Sequence, residues 1–188
     1  MGRLGAGREQ LRRLLLDRRD ATSPDMLQIA GERIRRVLRG MPGFAGSARV
    51  GAYWSTGSEV PTRGIIQDIM SGGREVLLPR VEGDLIRFRR VTGMQDLEEG
   101  AFGIMEPRAS CGAAEPDLVL VPAVGLAPDG SRLGYGRGYY DRYLAGSGAV
   151  SVALALEKQV ISRIPAEPHD VGVSWIVTEE GARRARTL

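Results

Sequence analysis

Apolar residues recur along this chain in two rhythms, one suited to helix faces and one to buried strands. Leucines at 11, 14, 15 and 16, set among charges from residue 8 to 20, have the spacing of one helix face. Ser23-Pro24 reads as an N-cap and first helical residue, opening a helix to about Arg39. Its expected inward face is Met26, Ile29, Ala30, Ile34, Val37 and Leu38, and Gly40-Met-Pro-Gly43 ends it. The run from Arg49 to Trp54 predicts a strand. Ile65, Ile66 and Ile69 give 62–70 a helical period, closed by Gly72-Gly73. Residues 75–79 predict a second strand and 84–91 a third, after a Glu82-Gly83-Asp84 turn.

Residues 93–116 are punctuated by Gly and Pro and are expected to be mostly loop. Beyond them, residues 117–121 form a near-continuous apolar run of the kind buried on both faces of a parallel sheet. A helix is expected to start at Tyr139 and reach Leu144. Strands at 150–156 and 174–178 flank a helical turn at 157–161. This alternation predicts one α/β domain over residues 1–188, a three-layer α/β/α arrangement with a mainly parallel central sheet.

Composition narrows the class without naming a reaction. A chain of 188 residues with 43% hydrophobic and 26% charged content can bury a core without staples. The lone Cys111 excludes an internal disulfide and fits a reducing compartment. No stretch reaches the roughly 18 apolar residues of a membrane helix, and the charged, leucine-bearing N-terminus lacks a signal-like apolar segment. A cytoplasmic monomer without membrane contact is the expectation. The net charge is +3, and Lys158 is the one lysine among 26 basic residues. Those arginines are scattered in pairs without a nucleic-acid motif, so solvated helix faces account for most of them and no nucleic-acid partner is expected.

Candidate chemistry concentrates after the 117–121 strand, and in open α/β sheets ligands bind beyond the strands' carboxyl ends. Gly134, Gly136 and Gly138 alternate there, which lets backbone amides approach an anion unobstructed. A helix starting near Gly138 would add its N-terminal dipole. Arg132 and Arg137 offer forked donors for phosphate oxygens, and Asp141 offers a carboxylate for Mg²⁺. The spacing is neither a Rossmann fingerprint nor a P-loop. Taken alone it also suits a tight turn with incidental charges.

The flanking residues extend this signal. The segment from Leu118 to Leu144, with Pro122-Ala-Val-Gly-Leu-Ala-Pro-Asp-Gly130 and Arg132-Leu-Gly-Tyr-Gly-Arg-Gly-Tyr-Tyr-Asp141, closely resembles the signature of the 5-formyltetrahydrofolate cyclo-ligase (5,10-methenyltetrahydrofolate synthetase) family. Further matches follow in family order: Arg8-x-x-x-Arg12, Tyr53-Trp-Ser-Thr-Gly-Ser-Glu-Val-Pro-Thr62, Leu78-Pro79-Arg80, Phe102-Gly103-Ile104-x-Glu106-Pro107 and Glu167-x-His169-Asp170.

The resemblance implies ATP- and Mg²⁺-dependent closure of a reduced folate, 5-formyltetrahydrofolate, to 5,10-methenyltetrahydrofolate. It places ATP on Arg8, Arg12, Arg132, Leu133, Gly134, Tyr135, Gly136, Arg137, Gly138, Tyr139 and Tyr140, with Arg137 and Tyr140 as the catalytic candidates. It places the folate on Trp54, Glu59 and the stretch Tyr135, Gly136, Arg137, Gly138 and Tyr139, and Mg²⁺ on Asp141 and Asp170. On residue type alone Trp54 also reads as core, and Glu59 as a carboxylate ahead of a helix. The sole histidine, His169, reads as outer-shell or structural. Three positions depart from the family pattern: Arg8 where lysine is usual, Pro61 where an acid is usual, and Ser174 where an aspartate is common. A non-catalytic folate- or nucleotide-binding relative is the alternative reading.

Overall fold

The computed structural model describes residues 2–186, and side chains from residue 7 to 186. Its centre is a seven-stranded sheet. The first strand, β1 (Arg49–Gly51), pairs in parallel with β2 (Glu75–Glu82) on one side and with β6 (Leu118–Pro122) on the other. Parallel pairing continues from β6 to β9 (Val150–Leu154) and on to β10 (Trp175–Thr178). Antiparallel strands close both edges: β3 (Leu85–Val91) on β2, and β11 (Gly181–Arg184) on β10.

Side-chain alternation in β6 sorts the two faces. Leu118 and Leu120 enter one core with Val50, Val76 and Leu78, covered by the helices α2 (Pro24–Arg39), α3 (Pro42–Gly46) and α4 (Arg63–Ser71). Val119 and Val121 enter the opposite core beneath α5 (Tyr139–Gly146), with Leu77, Ala153 and Leu144. A strand buried on both faces needs apolar residues at every position, as residues 118–121 have. The expected three-layer arrangement is therefore present.

The leading helix, α1 (Gly2–Asp20), lies against a third, smaller cluster: Leu15 with Val124, Ala127, Leu133 and Ile164. Close approach there requires Gly125, because a Cβ at that position would stand 2.4 Å from Leu15 Cδ1. Leu14, expected inward, is 47% exposed. The helix docks along a narrow line through Leu11 and Leu15, and Leu14 is rotated off it.

Ser23 caps α2 as expected, its Oγ accepting from the Met26 N–H at 3.4 Å. The buried strip of α2 is Ala30, Gly31, Ile34 and Leu38, whereas Met26 and Ile29 are exposed. Only one stripe of a helix can meet a sheet, and those two sit beside it. Gly31 faces the Pro61 ring so closely that a Cβ would lie 3.0 Å from Pro61 Cδ. Pro61 is thus a packing surface for α2.

Other differences concern strand length and short elements. The expected 49–54 strand stops at Gly51, after which Thr62 ties the chain back by donating its hydroxyl to the Tyr53 carbonyl at 2.6 Å. The 93–116 stretch contains a hairpin of β4 (Leu97–Glu99) and β5 (Met105–Pro107). A small ribbon, β7 (Gly125–Leu126) with β8 (Arg132–Leu133), leads into the glycine-rich segment.

Candidate active site

Strand order runs outward in opposite directions from β1 and β6, so the sheet reverses between them. A cleft of about 470 Å³ opens at that reversal, floored by residues following β1, by Pro122 at the end of β6 and by the outer half of β2. An open α/β sheet parts its loops at such a point, leaving a crevice.

The glycine-rich turn forms one wall. Gly136 and Gly138 have φ of 91° and 69°, a left-handed backbone that side-chain-bearing residues avoid. Gly138 is the residue from which α5 begins, and Asp141 lies in its first turn. Leu133, expected among the nucleotide contacts, does not line the cleft. Its side chain is fully buried in the cluster around Leu15, and only its neighbours Arg132 and Gly134 reach the opening.

Arg132 is almost wholly buried. Its Nη2 donates to Asp141 Oδ1 at 2.8 Å, and its Nε has no acceptor among the described residues. Asp141 Oδ1 also accepts from the Val171 N–H at 3.3 Å. Arg12 donates through Nε to the Gly134 carbonyl at 2.8 Å and lies beside Gly136. Arg137 is exposed, its guanidinium 5.0 Å from the centre of the Phe102 ring. Phe102 has φ 60° between flanking turns, the one left-handed non-glycine among the described residues.

Arg8 is 7% exposed. It donates to both oxygens of Asp170, through Nη1 at 2.5 Å and Nη2 at 3.1 Å. Asp170 Oδ2 accepts a further bond from the Glu167 N–H at 2.8 Å. Ligand atoms of Glu167, His169 and Asp170 lie within 4.8 Å of one another. Asp141, expected to share a cation with Asp170, lines the same cleft but stands outside that cluster. Ser174 lies on the strand side, its N–H bonded to Ser151, and does not reach the cleft.

The other end of the cleft is apolar and aromatic. Trp54 and Tyr53 follow β1, with the Arg63 guanidinium 4.9 Å above the Trp54 ring. Glu59 accepts from the Tyr135 hydroxyl at 2.6 Å and from the Thr56 N–H at 2.8 Å. Tyr140 is half-buried beneath, its hydroxyl oxygen enclosed and without a partner among the described residues. Burial, and secondarily the Glu59 charge, hold its phenol well above the ordinary range, so it stays protonated.

Sequence reasoning missed several lining residues. Pro79, Val81, Ile86 and Met105 form an apolar floor, and Glu106 sits in it only 6% exposed. Burial raises the Glu106 carboxyl above its usual range, while the Val81 and Ala101 amides pull the other way. The Phe102–Pro107 motif was the available signal for this floor. Cys111 is not a cleft residue; its thiol faces the Asp96 carbonyl.

Residues 5–179 match the 5-formyltetrahydrofolate cyclo-ligase family. The chain is 31% identical to the 5-formyltetrahydrofolate cyclo-ligase of Mycolicibacterium smegmatis, over 91% of this chain and 93% of that protein. It is 30% identical to the Saccharomyces cerevisiae enzyme of the same name, over 93% and 94% respectively. The solved structure of Aquifex aeolicus 5,10-methenyltetrahydrofolate synthetase superposes with a TM-score of 0.87 at 34% identity, covering 95% of this chain and 93% of that one. With matches that run nearly the whole length in sequence and in structure, the chain belongs to the 5-formyltetrahydrofolate cyclo-ligase family and is an enzyme of it.

Proposed function

We propose that this protein closes 5-formyltetrahydrofolate to 5,10-methenyltetrahydrofolate, using ATP and Mg²⁺ and releasing ADP and phosphate. The observation that carries the reading is one cleft with two unlike ends: arginines and a glycine turn at one, aromatic rings and Glu59 at the other. The first suits a polyphosphate and the second a flat heterocycle with N–H donors.

A formyl oxygen on nitrogen is a poor leaving group. Transfer of the γ-phosphoryl to it produces an iminium phosphate, which the folate's nitrogen 10 attacks at the formyl carbon. That attack closes the ring; nitrogen 10 gives up its proton, and expulsion of inorganic phosphate leaves the methenyl carbon doubly bonded between the two nitrogens. Such a transfer asks the protein mainly for positioning and charge neutralisation. Arg132, its Nε still open, and Arg137 are the donors placed to meet the transferring group. Arg12 holds the Gly134 carbonyl and so orients the turn. Tyr140, kept protonated, has a hydroxyl proton free to donate.

The donor set fits a hard divalent cation. No hydrogen bond reaches Asp141 Oδ2 among the described residues, and Glu167 and Asp170 add carboxylates nearby. Mg²⁺ held there would neutralise phosphate charge. Asp170 would take part through the lone pair left on Oδ1, which accepts from Arg8 Nη2 alone.

The test is direct. Protein mixed with ATP, Mg²⁺ and 5-formyltetrahydrofolate should develop the near-ultraviolet absorbance of the methenyl product. Persistent silence, with folate binding intact, would instead identify a binding protein without turnover.

A further inference from the structure

The aromatic end of the cleft is anchored by a residue that does not line it. Arg19, near the end of α1, is 7% exposed, while its neighbour Arg18 is on the surface. Its Nη1 donates to the Tyr135 hydroxyl oxygen at 2.7 Å, and its Nε donates to Ser58 Oγ at 2.8 Å. A guanidinium only donates, and a phenol has one proton. Tyr135 therefore accepts from Arg19 and must send its own proton to Glu59 Oε1, at 2.6 Å. Glu59 Oε2 is held separately by the Thr56 N–H at 2.8 Å.

The chain Arg19–Tyr135–Glu59 thus has a fixed direction. It spans a helix, the glycine-rich turn and the turn after β1. With both oxygens held, the plane of the Glu59 carboxylate is set. Lone pairs remain, since a carboxylate offers about four acceptor positions. Burial and the nearby Glu59 charge raise the Tyr135 phenol above its ordinary range, which keeps it a donor.

We propose that Arg19 is a positioning residue: acting through Tyr135, it sets the Glu59 carboxylate to receive the ring N–H donors of the reduced folate. This rests on assigning the aromatic end of the cleft to the folate. Arg19 does not touch that ligand.

The test compares wild type, Arg19→Met, Tyr135→Phe, the double variant, Glu59→Gln and the surface control Arg18→Met. KM for 5-formyltetrahydrofolate and for ATP is measured by methenyl absorbance, and folate Kd by calorimetry without ATP. Arg19→Met and Tyr135→Phe should each weaken folate about tenfold, the loss expected for one charge-assisted hydrogen bond. In Arg19→Met, which leaves every cleft-lining residue in place, the ATP KM should hold, and the double variant should bind folate no worse than either single one. Arg18→Met should change neither.

Tyr135→Phe alters only a hydroxyl on a half-exposed ring, so it reads the chain even if Arg19→Met folds poorly. Equal weakening of folate and ATP in Arg19→Met, or single effects on folate that multiply in the double variant, would overturn the proposal. Folate affinity lost in Glu59→Gln but kept in Arg19→Met and Tyr135→Phe would overturn it while leaving the folate site standing. A wild type that binds folate without turnover would refute the reaction, and the Kd series would still decide Arg19. A wild type that binds no folate would refute both.

Discussion

Two regions of this protein are built on arginine–aspartate pairs, and they differ in what the pairing leaves open. On the outer face of α2 and α4, Asp68 accepts from Arg35 at 2.6 and 2.7 Å and from Arg39 at 2.6 and 2.8 Å. Both oxygens are saturated, and the two guanidiniums hold the carboxyl well below its usual range. In the cleft, Arg132 meets Asp141 through one nitrogen only, leaving a buried Nε and a carboxylate oxygen without bonds among the described residues. The first arrangement is complete and ties two helices together. The second is incomplete until a ligand arrives, which is the physical difference between a clamp and a binding site.

The sharpest way to break that contrast is to remove the cleft arginines. Arg132→Met and Arg137→Ala should each lower kcat/KM by about 10²–10³-fold, as loss of a donor to a developing oxyanion does. Arg35→Met should leave turnover per folded molecule unchanged. Arg137 is exposed, so its variant should keep the wild-type melting temperature, and calorimetric scans would check this. If turnover survived in Arg132→Met, the cleft pairing would be structural too.

A smaller effect is expected from Asp141→Asn. The Mg²⁺ concentration giving half-maximal activity should rise about tenfold, in the range seen when one oxygen ligand is weakened. An unchanged Mg²⁺ titration would remove Asp141 from the metal's surroundings. The saturated pair should behave oppositely. Asp68→Asn should leave turnover alone and cost about 1 kcal/mol, the value of a partly solvated ion pair, lowering Tm by about 3 °C.

The smallest effect is on pH dependence. Because the folded Asp68 carboxyl is held below its unfolded value, its stabilisation is present above that value and fades as pH falls. The stability gap between wild type and Asp68→Asn should therefore narrow below about pH 4. A gap that stayed constant into acid would show that the charge contributes nothing there.

The contrast also explains what could be read in advance. The apolar run at 118–121 and the glycine rhythm at 134–138 carry local signals, and both elements occur where those signals put them. Arg18 and Arg19 carry none: two adjacent arginines on one helix, alike in sequence, of which one is buried. Only the approach of Ser58 and Tyr135, 39 and 116 positions later, separates them. Leu14 and Leu15 repeat the case. The strand β11 was not legible either, because Gly181–Arg184 is polar and exposed at a sheet edge, with no buried face to impose a pattern. Arg8, Arg12 and Arg19 of α1 reach the site through long-range contacts, a kind of information that periodicity does not hold.

The docking of α1 also has a consequence for the order of events during synthesis. Arg8 bonds Asp170 across 162 positions, and Arg12 bonds Gly134 across 122. The helix is made well before its partners. A helix that waits without them is only marginally stable in water, and contacts so distant in sequence form late because the chain between them must first be ordered. On this view the sheet forms before α1 lands on it, and catalysis switches on only when that helix settles.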